Sequence, residues 1–323
     1  MAVVLGNAHQ VGDDLEGKLG GHVDDEVTLT PTRDAIEDRI REQTNRILDE
    51  VIEKGTSDFV VDVAAELPLQ VIADLMGVPQ EDRHKLFDWS NRMIGADDPE
   101  YGITEDDTQT ASMELYAYAS ELAHQKRANP GDDLISVLSQ AEVDGERLTE
   151  FDIDLFFLLL SVAGNETTRN LISHGLVALL ENPSQLELLR ANPELMGSAI
   201  EEMLRWGTPV MHFRRTATVD HELLGQQIKE GDKIVFWHIS ANRDENKFKD
   251  PFTFDITRSP NEHVAFGSGG PHFCLGANLA RMEIRVMFEE LLARFPEMEI
   301  TGEVARLRSS FINGIKHIPL RVS

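Results

Sequence analysis

Residues 266–281 read FGSGGPHFCLGANLAR, and Cys274 within them is the chain's single cysteine. Gly267, Gly269 and Gly270 precede it, and a strongly helical run follows. Glycines in this density allow a tight, bulged backbone pressed close to a partner, and Gly276 keeps the far side clear. A cysteine at the mouth of a helix meets unpaired N–H groups and the positive end of the dipole, which favour a thiolate. Four readings compete. A free cysteine often only fills space in a core. A nucleophile gains from the same helix start. A phosphate loop has a similar glycine run, but its Lys-Ser/Thr ending is absent. An axial thiolate ligand to a metal fits the glycine-lined approach best.

Around this loop the composition is that of a soluble globular protein: 323 residues, 41% hydrophobic and 27% charged. One cysteine rules out an internal disulfide framework and makes a reducing cytoplasm the natural compartment. A net charge of −27 argues against nucleic acid and against an anionic membrane surface. The run LFFLLLSVAG at residues 155–164 falls short of the ~18–20 residues of a membrane span, and the N-terminus lacks the pattern of a signal peptide.

From Asp34 the apolar spacing is mostly helical: Ile36, Ile40, Ile47, Leu48 and Val51 share one face of a helix that closes at Gly55. ELPLQVIADLMGV, EDRHKLFDWSNRMIG, TQTASMELYAYASELAHQK and DDLISVLSQAEV read as four more helices, with DGERL a turn. TEFDIDLFFLLLSVAGNETTRNLISHGLVALLEN is a long helix, too apolar all round to be anything but central. Two Asn-Pro openings start the next two helices. HFRRTATVD, HELLGQQIKEGD and KIVFWHIS read as short strands, followed by a polar meander, a last helix over ANLARMEIRVMFEELLARF and a final strand pair in RLRSSFINGIKHIPLRVS. The fold class is mainly α with a small β portion. Residues 1–29 are glycine-rich, acidic and without periodicity, so an irregular segment is expected there.

Three further groups of residues stand out. AGNETT sets Glu166 and Thr167 in an otherwise apolar helix, where polar groups cost free energy unless paired or useful. Ala163 and Gly164, one turn back, leave a notch, and the Thr167 hydroxyl can take up the Ala163 carbonyl. A surface stripe is the plain alternative; a groove for a small ligand, with an acid and an alcohol to relay protons, is the functional one. Glu202 and Arg205 form an (i, i+3) pair that on spacing alone is only a surface ion pair. Arg215 alternates with Arg214 in a strand, so it shares the apolar face with Phe213 and wants an anion.

Taken together these residues resemble the cytochrome P-450 superfamily of haem-thiolate monooxygenases. Phe266, Gly267, Gly269, Cys274 and Gly276 match its F-G-x-G…C-x-G pattern, with four residues between Gly269 and Cys274. AGNETT resembles the distal-helix motif, Glu202 and Arg205 match the ExxR pair, and Arg258 matches the third member of that network. Arg215 and His272 match the positions that bind haem propionates. The resemblance covers residues 34–323 and is most similar to soluble actinobacterial members that oxidise sterol side chains and methyl-branched lipids.

The resemblance implies a haem-thiolate domain over residues 30–323, haem b as cofactor and Cys274 as its metal ligand. It implies Glu166 and Thr167 as the catalytic pair, and Arg215, His272, Phe266, Gly267, Gly276, Ala163 and Gly164 as cofactor-binding residues. Phe156, Phe157, Val210, Met211 and Phe311 are expected to line the pocket for a hydrophobic small molecule. Electrons are expected from a ferredoxin and its NAD(P)H-dependent reductase, docking on a basic patch of Arg281, Arg285, Lys247 and Lys249. Residues ahead of Thr30 do not resemble the family's opening strands and helices, so the start looks truncated or replaced, with weak haem retention expected. A peroxide-driven enzyme is disfavoured by ETT, and a cysteine hydrolase lacks a third member beside Cys274 and His272. A non-catalytic or decayed haem or lipid binder is the alternative.

Overall fold

The computed structural model describes residues 33–143 and 145–323. The irregular segment expected over residues 1–29 lies outside the described residues, as do the first residues of the expected domain. In chain order the helices are α1 (Arg33–Lys54), α2 (Glu66–Met76), α3 (Arg83–Ile94), α4 (Glu105–Ala128), α5 (Leu134–Gln140), α6 (Glu150–Glu181), α7 (Pro183–Ala191), α8 (Met196–Gly207), α9 (His238–Ala241) and α10 (Ala277–Arg294). The strands are β1 (Thr56–Asp58), β2 (Glu142–Val143), β3 (Glu146–Arg147), β4 (His212–Thr216), β5 (His221–Leu223), β6 (Gln226–Ile228), β7 (Lys233–Trp237), β8 (Met298–Ile300), β9 (Ala305–Arg306), β10 (Ile315–His317) and β11 (Pro319–Val322).

Helix α6 is the strut of the molecule. Thr149 caps its start by accepting from the Asp152 N–H, while the Asp152 carboxylate accepts from Thr149 N–H, a reciprocal capping box. Its N-terminal half, with Ile153, Phe157 and Leu158, joins α2, α3 and α4 in one apolar cluster. Its C-terminal half, with Leu171, Ile172, Leu176 and Leu179, joins α1, α8 and α10 in another. Each large side chain fully buried in these clusters contributes about 1.5–3 kcal/mol. That two-sided burial explains a helix apolar on every face.

Helix α2 crosses α6 closely enough that a Cβ on Gly164 would stand 2.9 Å from Ile72 Cδ1. The missing side chain at Gly164 therefore serves the packing of α2 on α6. Phe157 is likewise core: it is fully buried, 6.1 Å ring to ring from Tyr118, and lines no opening.

The strands depart from the sequence reading in three places. The helix expected through residues 141–143 stops at Gln140, and Glu142–Val143 instead pairs with Glu146–Arg147 as a hairpin. β1 was not legible, and β11 lies between β1 and β8 in an antiparallel sheet. β9 and β10 form a pair in the final stretch as expected, but β11 follows as a further strand in a different sheet. β4 and β7 pair antiparallel with Phe213 opposite Phe236 and Arg215 opposite Ile234, which places Phe213 and Arg215 on one face as expected.

Candidate haem site

The cysteine loop is built by its backbone. Gly267, Gly269 and Gly270 have φ of 86°, 107° and 80°, a region that strains any residue with a Cβ. The loop closes where Cys274 N–H donates to Phe266 O at 3.0 Å and Gly267 N–H to Val264 O at 3.0 Å. Helix α10 begins at Ala277 with Gly276 as its N-cap, so Cys274 sits just ahead of the helix. Burial pushes the Cys274 thiol up, opposed by the Gly276 N–H and the charge of Arg281. The helix start alone therefore does not produce a thiolate, contrary to the sequence reading: desolvation outweighs it. A metal cation at the sulfur reverses that balance, because a coordinating thiol is deprotonated outright.

Within α6, the Thr167 hydroxyl donates to Ala163 O at 2.6 Å, a back-bond to the preceding turn. Ala163 is exposed and Gly164 and Thr167 are half-buried, continuing a face of α6 on which Phe151 and Leu159 are also exposed. Glu166 faces the other way and is 1% exposed, which excludes the surface stripe. It is ion-paired with Arg169, one turn on, and its Oε1 has no partner among the described residues. Burial raises its pKa above the ordinary carboxylate value against the pull of Arg169. Arg169 in turn donates to Asn91 Oδ1 on α3 at 3.2 Å and lies 5.5 Å from the Phe87 ring centroid. Spacing could suggest the Glu166–Arg169 pair, but nothing local marks Asn91, which only the docking of α3 brings near.

The ExxR residues are not a surface pair. Arg205 Nε and Nη2 donate to Glu202 at 2.8 and 2.6 Å, and both side chains are fully buried. The remaining guanidinium hydrogens donate to Asn242 O, Pro251 O and Thr253 O. Arg258 Nε donates to Glu202 Oε2 at 3.1 Å, and its terminal nitrogens hold Lys249 O, Asp250 O and Thr253 O. Glu202, Arg205 and Arg258 thus pin the polar meander that leads to the cysteine loop.

Arg215 lies 5.4 Å from the Phe236 ring centroid, and no carboxylate pairs with it among the described residues. His272 is exposed at the tip of the cysteine loop. Phe266 packs on the core with the Arg281 guanidinium 4.6 Å from its ring. Val210 bridges Ile312, and Met211 N–H donates to Phe311 O at 2.9 Å, which brings three of the five expected lining residues together. Phe156 packs against the cluster that holds Phe157.

The matching family model is that of cytochrome P450, over residues 69–310. The chain is a cytochrome P450. The P450 is 48% identical over 283 residues to the steroid C26-monooxygenase of Mycobacterium tuberculosis, covering 87% of this chain and 64% of that protein. It is 48% identical over 289 residues to the methyl-branched lipid omega-hydroxylase of the same organism, covering 88% and 68%. It thus spans a little under two thirds of the steroid C26-monooxygenase and slightly more of the hydroxylase. A Mycobacterium marinum cytochrome P450 in complex with pseudoionone superposes with a TM-score of 0.85 at 43% identity, covering 89% of this chain and 70% of that one. A Bacillus megaterium P450 in complex with testosterone gives 0.81 at 41%, covering 90% and 79%. Family membership implies a haem. The residues fit one: a soft sulfur donor, an arginine that no carboxylate among the described residues pairs with, and positions Gly269, Gly270 and Gly276 where a Cβ would meet no described atom within 4 Å.

The basic patch expected to dock a ferredoxin is different in the structure. Arg281 donates to both oxygens of Glu201 at 2.7 and 2.9 Å, and Arg285 pairs with Glu37 at 2.6 Å and with Glu289 at 3.2 Å. Both are committed within the fold, while Lys247 and Lys249 are exposed. Burial works against the charge of Glu201, yet Arg281 and His263 hold its pKa down to about 2. Its contribution is present above the ordinary value of 4.5 and is lost as pH falls towards 2. Arg281→Ala is expected to cost about 1 kcal/mol, the pair being partly solvent-screened. It should also flatten the loss of stability below about pH 4.5, as urea midpoints across an acid series will read.

Proposed function

We propose that residues 30–323 form the haem-thiolate domain of a cytoplasmic monooxygenase that hydroxylates a hydrophobic small molecule. The substrate class is a sterol side chain, a fatty or branched lipid, or a terpenoid. What carries the reading is the partly exposed face of α6 at Ala163, Gly164 and Thr167, with a buried acid adjoining it. The names of the two mycobacterial relatives support the lipid class.

Haem b, ligated by Cys274, supplies the dioxygen-activating chemistry: a substrate C–H, dioxygen, two electrons and two protons give an alcohol and water. Arg215 and His272 would hold the propionates, and Phe266, Gly267, Gly276, Ala163 and Gly164 would be the other residues that bind the cofactor. Glu166, whose pKa burial raises above the ordinary carboxylate value against the pull of Arg169, is the acid that relays protons towards Thr167. The Thr167 Oγ1 proton now on Ala163 O is freed by a single χ1 rotation. Val210, Met211 and Phe311 present apolar surface to the substrate. A ferredoxin and its NAD(P)H-dependent reductase deliver electrons, with Lys247 and Lys249 the exposed cations left to guide an acidic partner.

Thr167→Ala tests the proton path. It should leave haem binding intact and cut product formed per NAD(P)H consumed several-fold, with the difference appearing as peroxide, in assays with a surrogate redox system. Unchanged coupling removes the acid–alcohol role. Haem retention with no turnover of any lipid or sterol by the unmodified chain favours a non-catalytic binder.

A further inference from the structure

Lys316 and His317 on β10 reach across to the loop 95–104 that joins α3 to α4. The His317 Nδ1 meets Asp58 Oδ2 of β1, and its Nε2 meets Glu100 Oε1 of the loop at 2.8 Å. Both acceptors are carboxylates. A neutral imidazole carries one N–H, so only the imidazolium can donate to both at once.

The other half of the contact does not titrate in the same range. Lys316 Nζ donates to Asp98 Oδ1 at 2.9 Å and also to Glu100. Asp98 is 2% exposed and further accepts the N–H groups of Arg308 at 2.7 Å and Glu100 at 3.0 Å. The Asp98 end of the loop is therefore fixed, and the Glu100 carboxylate is shared between Lys316 on Oε2 and His317 on Oε1, of which only the His317 contact titrates near neutral pH. The charged groups around His317 are Asp58 on β1 with Asp62 bonded to its N–H, Asp98 and Glu100 on the loop, Lys316 beside it, and Arg306 on the paired β9.

We propose that His317 is a pH-sensitive clasp: as an imidazolium it holds the loop 95–104 shut against β10, and on losing its proton it lets the Glu100 end lift. Burial disfavours the charge on His317, but the Glu100 and Asp58 contacts outweigh it and raise its pKa above 6.5. The stabilisation is thus fully present below 6.5 and is lost as pH rises through the higher folded value. The neutral ring has one N–H and can donate to only one of the two carboxylates, and Asp58 is held in place independently, its Oδ1 accepting from the Val60 and Ile318 N–H groups at 3.1 Å. The loop bears on the site through Tyr101, whose ring lies under Lys316 Nζ at 5.8 Å and whose hydroxyl feels the charges of Arg169 and Glu166.

Hydrogen exchange by mass spectrometry on the full chain tests this, with rates corrected for intrinsic pH dependence. Protection of residues 96–104 should fall about three- to tenfold between about pH 6 and pH 8.5. His317→Gln should show the low protection at both pH values, and His317→Arg, which keeps a charge, should show the high protection at both. Peptides from α1 and α10 report whether each variant folds, and the pH series on the unmodified chain stands by itself if one does not. Protection of the loop that ignores pH in the unmodified chain overturns the clasp, as does a His317→Gln variant with the same pH dependence.

Discussion

Arg205→Ala is expected to destabilise the fold by about 3–5 kcal/mol, the cost of removing one partner from a fully buried ion pair. The guanidinium satisfies five acceptors: both oxygens of Glu202 and the carbonyls of Asn242, Pro251 and Thr253. Its loss strands the Glu202 carboxylate, which keeps Arg258, Asn261 and the Asp255 N–H but carries its charge at zero exposure. It also orphans two carbonyls, those of Asn242 and Pro251, while Thr253 O keeps Arg258, at about 1–3 kcal/mol for each that water cannot reach. Arg205→Lys should recover little, because an ammonium cannot match a planar fork spread over Glu202, Asn242 and residues 251–253. Chemical denaturation will show the midpoint shift. A loss below 1 kcal/mol would mean that water replaces the guanidinium and that the network does not hold the meander.

How far the molecule was legible in its sequence depended on how local each feature is. α6, α1 and α10 announce themselves through apolar periodicity and caps, and the glycine loop through residues that tolerate positive φ. β1 has three residues with no alternation and becomes a strand only by pairing with β11. The neutralised patch was hidden for the same reason: Arg281 meets Glu201, 80 positions away, and Arg285 meets Glu37, 248 positions away. The packing role of Gly164 was hidden because its partner, Ile72, lies on another helix. Glu166 stood out as a polar residue in an apolar helix, and its burial bears out that reasoning. The tie through Arg169 to Asn91 needed the fold.

Cys274→Ser should abolish thiolate ligation altogether. The loop itself should survive, since its closing bonds run through backbone atoms, Cys274 N–H to Phe266 O and Ala277 N–H to Cys274 O. A serine fits the same space with a smaller atom, so folding of the scaffold is expected to change by less than about 1.5 kcal/mol. An alcohol does not ionise near neutral pH and gives iron no equivalent anionic donor, so the electronic push of the sulfur is lost. No other cysteine exists to replace it.

The ferrous–carbon monoxide difference spectrum of the purified chain, reconstituted with haem, tests the assignment of Cys274 most directly. A strongly red-shifted Soret band in the unmodified protein, absent from Cys274→Ser while haem is still bound, is the predicted result. The same red-shifted band in both proteins, or its absence from the unmodified protein with haem bound, would contradict it.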